Sequence, residues 1–142
     1  MKIKYLHIVH IFLSLSLSGQ EIITFTSADP FGFQDIITNL ENLEENEVSG
    51  ILKLPEGEGP FPLVLGVAGS LDWGKHHLEY MEMYRKMGIA TFELQSFSSR
   101  GIKSTVGSQI KVTTAMMVLD AYRAFEQLAL HPNIDKDRVA IT

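Results

Sequence analysis

The chain has 142 residues, 45% of them hydrophobic and 20% charged, which is the composition of one globular domain of ordinary size. Its net charge of −5 and the lack of any basic stripe argue against nucleic acid as a partner. It contains no cysteine, so disulfides, thiolate nucleophiles and cysteine-based zinc sites are excluded within these residues, while the redox compartment stays unread.

The first residues read as a targeting segment. Lys2 and Lys4 form a small basic region, Ile8 to Leu17 (IVHIFLSLSL) is apolar, and Ser16 and Ser18 occupy the −3 and −1 positions of a cleavage site. The stretch is short for a transmembrane helix, and Gly19-Gln20 breaks its pattern. The competing reading is a buried first strand or helix. A signal peptide over 1–18 predicts a secreted or periplasmic protein with no stable membrane anchor, whose domain occupies 19–142.

Glu21 to Ser27 (EIITFTS) has the β-branched and aromatic content of a strand, and Asp29-Pro30-Phe31-Gly32 is a turn. Gln34 to Glu47 is ambiguous; its acidic end, ENLEENE, reads as a solvated loop or a short helix. Val48 to Pro55 is a second strand, followed by the Gly- and Pro-rich turn EGEGPFP. Leu63 to Ala68 is almost wholly apolar, as suits a strand buried on both faces. After the loop GSLDWG, Leu78, Met81, Tyr84 or Arg85, and Met87 recur at helical spacing, and Gly88 is placed to end that helix. Ile89 to Leu94 is the next strand, and SFSSRGIKSTVGSQ a polar loop. A helix capped by Thr113 or Thr114 follows. Val118, Ala121, Tyr122, Phe125, Leu128 and Ala129 line one of its faces, with Met116 and Met117 also read as core, and Pro132 stops it. Asn133 to Lys136 turn the chain, and a last strand starts near Arg138.

Strand, helix, strand, helix, strand after residue 60 predicts an α/β fold with a parallel sheet and helices on its faces. The two earlier strands, joined by no convincing helix, are expected as an antiparallel edge. In such a sheet, sites lie beyond the carboxyl ends of the strands. The most informative end is Ala68-Gly69-Ser70-Leu71, where free N–H groups are able to hold an oxyanion or a phosphate. The bland alternative is a plain strand-to-helix turn. Neither a dinucleotide fingerprint nor a Walker motif is present, which counts against a flavodoxin-like domain binding a nucleotide there.

PFPLVLGVAGS, then a helix running into YRKMGIATFELQSFSSRG, then ALHPNIDKDRVAIT, resemble in that order the N-terminal half of an α/β-hydrolase, most of all the dienelactone hydrolase group. The resemblance covers Ser49 to Thr142, and HPNIDKDRVAIT is its most specific part. It implies an α/β-hydrolase-like, mostly parallel sheet with helices on both faces. The activity it implies is cleavage of an ester, lactone or related acyl bond by a nucleophile, a histidine and an acid, with no metal or organic cofactor. In that family the strand resembling DRVAIT runs into G-x-S-x-G, which exposes a serine on a strained strand-to-helix turn. No G-x-S-x-G occurs in these residues. The resemblance therefore implies a fragment ending just before its nucleophile, serine or cysteine, and inactive alone. The rival expectation is a noncatalytic secreted binding module.

Carried over, one backbone donor of the oxyanion hole belongs to Ser70 or Leu71. Two positions depart from the family: its histidine before Gly69 is Ala68 here, and near Gln95-Ser96, where an aspartate is common, the nearest carboxylate is Glu93. Trp73 is a candidate wall for a substrate cleft, against ordinary packing. Arg100 is a candidate for binding a substrate carboxylate, against bonding loop carbonyls and holding the loop's shape. Ser70 with His76 or His77 and Asp72 is a weak triad, because nearness in sequence is not hydrogen-bond geometry. The two adjacent histidines are expected to point to different sides of a helix start, so a metal shared between them with Asp72 or Glu79 is disfavoured.

Overall fold

The structure is a computed structural model that describes residues 19–142; the signal peptide expected over 1–18 lies outside the described residues. Five strands form one sheet: β1 (Gln20–Ala28), β2 (Glu45–Lys53), β3 (Phe61–Val67), β4 (Ala90–Leu94) and β5 (Ile134–Ile141), in the order β1-β2-β4-β3-β5. β3 pairs in parallel with β4 and β5, and β2 pairs antiparallel with β1 and β4. β2 thus runs against the other four, and the antiparallel edge expected from the first two strands is present.

The helices are α1 (Phe33–Thr38), α2 (Lys75–Lys86) and α3 (Thr114–Leu128). Alternation along the strands assigns them to faces. Leu63 and Leu65 of β3, Ala90 and Phe92 of β4, and Val48 and Leu52 of β2 join Ala121, Ala124 and Leu128 of α3 in the main core. Gly66 and Thr91 point the other way, toward α2. A Cβ at Gly66 would overlap Met81 of α2, and Arg85 of α2 donates to Thr91 Oγ1 at 2.8 Å. Helices therefore cover both faces. The α2 side is thinly packed, with Met81 the one buried residue of that helix.

Three local expectations change. The acidic stretch after Gln34 is α1 and a 3₁₀ turn at Leu40–Asn42, and its last residues, Glu45 to Glu47, already belong to β2. They pair with Thr26 to Ala28 of β1, so their solvated faces coexist with a strand backbone. Ladder pairing of Ile134 with Phe61 brings the start of β5 forward of Arg138. The chain then bulges before Val139 meets Leu63, and within the bulge Asp135 accepts from the Asp137 N–H and from Arg138. The expected turn survives as this bulge.

The third change concerns α3. Its buried face carries Ala115, Met116, Leu119, Asp120, Ala121, Ala124 and Leu128, whereas Tyr122 is 62% exposed and Phe125 only partly buried. The helix is rotated because Asp120, fully buried, is held inside by Ser27 and Arg100.

Thr113 caps α3 by accepting from the Met116 N–H at 3.1 Å, and its hydroxyl donates to the Pro30 carbonyl at 2.8 Å. One side chain thus starts the helix and ties it to the turn after β1. Thr113→Ala is expected to cost about 2 kcal/mol, because it removes a cap and strands a buried carbonyl. Urea unfolding with an unchanged slope checks this; a loss below about 0.5 kcal/mol would contradict the double role.

Candidate functional site

β3, β4 and β5 run in parallel, so their carboxyl ends open on the same edge of the sheet. Two loops meet there, one after β3 and one after β4. The first turns tightly at Gly69 to Asp72, where the Asp72 N–H donates to the Gly69 carbonyl at 2.8 Å. The Ser70 carbonyl accepts from the Thr105 N–H at 2.9 Å and from the Ser104 hydroxyl at 3.0 Å. With its carbonyl pinned inward, the same peptide stretch leaves donors over: among the described residues the N–H groups of Ser70 and Leu71 have no acceptor. Both residues are exposed. An unpaired backbone donor on a fixed turn is the kind of group that can hold an oxyanion.

Asp72 closes this turn with φ +60°, a left-handed conformation uncommon outside glycine and asparagine-like residues. Its Oδ1 is buried without a hydrogen-bond partner. Burial pushes the Asp72 carboxyl above its ordinary value, against the opposing hydrogen bond from the Trp73 backbone. The folded state therefore holds this proton more tightly than the unfolded chain does. Its contribution is fully present below the ordinary value of 3.8 and is lost as pH rises through the folded value. Asp72→Asn is expected to gain stability over the wild type on going from about pH 3 to pH 6. Paired urea titrations check this, and a constant difference across that range would refute it.

A cleft of about 340 Å³ lies beside the donor loop, between Ser70, the loop from Thr105 to Val112, the start of α3 and the Phe31–Phe33 turn. The phenylalanines were not singled out from the sequence; the only signal was two aromatic residues inside a Pro- and Gly-containing turn. Trp73 stands elsewhere. Its ring leans over Gly66, its Nε1–H donates to the Leu94 carbonyl at 2.8 Å, and it lines a separate cavity of about 300 Å³ with Tyr80, Met81 and Tyr84 of α2. Ser70 and Trp73 thus wall different spaces.

Arg100 turns inward. Its side chain is 5% exposed and pairs with Asp120 at 2.7 Å and Asp29 at 2.7 Å, and it donates to the carbonyls of Ser96 and Ala28. Burial is the largest influence on the guanidinium and opposes its charge. The hydrogen bonds and charges of Asp120 and then Asp29 outweigh it and raise its pKa. These bonds join the loop after β4 to the end of β1 and to α3. They leave the guanidinium facing two carboxylates of the protein itself.

Glu93 is also turned from the cleft. It is buried on the α2 side, 2.6 Å from Lys53 Nζ and 3.9 Å from Arg85. His76 and His77, expected on different sides of the helix start, lie with ring centroids 3.8 Å apart. The His77 ring folds back so that Nδ1 accepts from the Gly74 N–H at 3.0 Å, and the His76 ring leans onto it. In the unconstrained first helical turn, capping decides side-chain direction. Among the described residues no three histidine, aspartate or glutamate side chains converge as a metal site, and no helix is long and apolar enough to cross a membrane.

The parallel β4-β3-β5 core with helices on both faces matches solved structures of α/β-hydrolase fold. The chain superposes with TM-score 0.55 on a chain assigned as a dienelactone hydrolase from Klebsiella pneumoniae subsp. pneumoniae MGH 78578, at 15% identity, over 85% of this chain and 49% of that one. It superposes with TM-score 0.56 on a protein named m3DLH, at 16% identity, over 87% of this chain and 48% of that one. The chain spans about half the length of these structures. No protein-family model and no curated protein sequence matches it.

Proposed function

We propose that the chain belongs to a hydrolase of carboxylic esters, lactones or related acyl bonds, and that it supplies the scaffold and one half of the oxyanion hole. The observation that carries this is the pinned loop after β3, where the exposed residues Ser70 and Leu71 have unpaired N–H groups at the carboxyl edge of the sheet. As a nucleophile attacks a carbonyl, negative charge gathers on its oxygen. A donor held in place by the Ser70 carbonyl bonds needs no reorganisation to meet that charge, and removing one such donor costs roughly 10²–10³ in rate. These residues hold neither G-x-S-x-G nor cysteine, so this reading needs a nucleophile outside them, with the acid and histidine following it in chain order. The likeness in fold to a chain assigned as a dienelactone hydrolase supports an ester or lactone as substrate.

The coding sequence after the Thr142 codon, read in three frames, tests this. The expected result is G-x-S-x-G or G-x-C-x-G at once, with an aspartate and a histidine later. A stop with no such frame downstream overturns it. The 142 residues alone are expected to turn over a nitrophenyl ester no faster than a boiled control. The reading of 1–18 as a signal peptide adds export to the proposal. Intact-mass measurement of protein recovered from outside the cytoplasm is expected to show a first residue of Gly19, and an uncleaved Met1 there would refute cleavage.

A further inference from the structure

We infer that the cleft beside Ser70 selects an uncharged substrate: it takes the neutral, apolar or aromatic portion of an ester and discriminates against an ester carrying a carboxylate. The inference rests on the hydrolase reading and names its substrate class. Phe31, Phe33, Ile110, Val112 and Met117 wall the cleft together with Ser70, and no charged side chain of the described residues lines it. The polar side chains on the wall, those of Ser70, Thr105, Gln109, Thr113 and Thr114, are all uncharged. The Thr113 hydroxyl is spent between Pro30 and Met116.

Large apolar side chains stand exposed at and near the cleft, beside the exposed polar Gln109 and Thr114. Phe31 is 71% exposed and Ile110 66% exposed, and Leu71 and Val106, neighbours of the pinned Ser70 peptide, are 74% and 69% exposed. Large apolar side chains grouped in this way around a concavity mark a binding surface rather than ordinary scatter. A carboxylate entering it would lose its water and find no cation among the lining residues. Arg100, the guanidinium of the same loop system, is closed off by Asp29 and Asp120. The chain's net charge of −5 repels an anion at longer range too. A neutral ring meets none of these penalties, and the cleft's volume of about 340 Å³ matches a small aromatic ester.

The test is a titration of the full 142-residue chain, with labelled methyl groups and amides, by nuclear magnetic resonance. Methyl benzoate is the neutral probe, and monomethyl terephthalate keeps the ring and ester while adding one carboxylate. Methyl benzoate is expected to move the Ile110, Val112 and Met117 methyl signals saturably. The charged ester is expected to bind at least about 10-fold more weakly, as desolvating an unpaired carboxylate demands. Phe31→Ser and, separately, Ile110→Ser are exposed-site variants expected to weaken methyl benzoate severalfold while leaving the remaining spectrum in place. Equal affinity for the two esters overturns the inference, and so does a lack of methyl shifts. Methyl shifts that follow protein concentration without ester also overturn it, since a second copy would then be the occupant. The Ser70 and Leu71 amide signals report the hydrolase reading separately. If they stay still while the cleft methyls move, the cleft stands and the oxyanion assignment falls; if they move with both esters equally, the reverse holds.

Discussion

Arg100→Ala is expected to destabilise the protein by about 3–5 kcal/mol, the range for removing one partner of a buried ion pair. The Arg100 side chain is 5% exposed and that of Asp120 0%. Without the guanidinium, Asp120 keeps a single donor, the Ser27 hydroxyl at 2.6 Å, for a charge that water cannot reach. Asp29, 42% exposed, can hydrate and adds little to the loss. Arg100→Lys should recover only part of it. The native side chain reaches Asp29 through Nε, Asp120 and the Ser96 carbonyl through Nη1, and the Ala28 carbonyl through Nη2. One ammonium cannot span that set. By contrast, Arg100→Met with Asp120→Leu removes both charges, and is expected to lie within about 1 kcal/mol of the wild type if the pair serves to orient the loop rather than to stabilise the fold. Urea unfolding of the four proteins decides it. A single Arg100→Ala loss under about 1 kcal/mol would mean that water or a shifted side chain already satisfies Asp120.

That ion pair also marks where the sequence stopped being readable. The strands and the two long helices were legible because each carries its own periodicity, and Gly88, with φ +79° at the end of α2, declares its purpose locally. The face of α3 was not. Helical spacing put Tyr122 and Phe125 inside, and the protein turns that helix to keep Asp120 inside instead. Asp120's partners lie 20 and 93 residues away in sequence, and no pattern within the helix announces them. A lone aspartate among alanines and leucines (VLDAYRA) was the signal available; an acidic group inside an apolar stretch requires a partner somewhere. The candidate site divides in the same way. The tight turn after β3 was legible from its Gly-Ser sequence after a buried strand. The side chains around it were not, because Trp73 and Arg100 sit in the right loops yet point to opposite faces and inward. The cleft walls at Phe31 and Phe33 come from a turn far earlier in the chain. The long-range bond from Thr113 to Pro30 ties that turn to the start of α3.

The second large effect lies in the sheet that supports the donor loop. Phe92→Ala is expected to cost about 3–5 kcal/mol, because Phe92 is 0% exposed at the centre of the main core and a void there has little means of collapse. Its ring lies across Gly50 of β2, whose missing side chain makes the room. A Cβ added at Gly50 would fall inside contact distance of the ring's Cζ, Cε1 and Cε2. Gly50→Ala alone is therefore an overpacking change expected to cost about 1–3 kcal/mol. Combined with Phe92→Ala, the same methyl enters vacated space, and the two losses should fall short of additivity by at least about 1 kcal/mol. Trp73 supplies a second readout. It is the only tryptophan, and its indole is anchored to the carbonyl of Leu94, two residues beyond Phe92 on β4. If packing under β4 sets the position of the loops after β3 and β4, Phe92→Ala should shift Trp73 emission in the folded state, and the double variant should move it back. Strict additivity, with Trp73 emission unchanged in all three variants, would show that the core and the donor loop are mechanically independent.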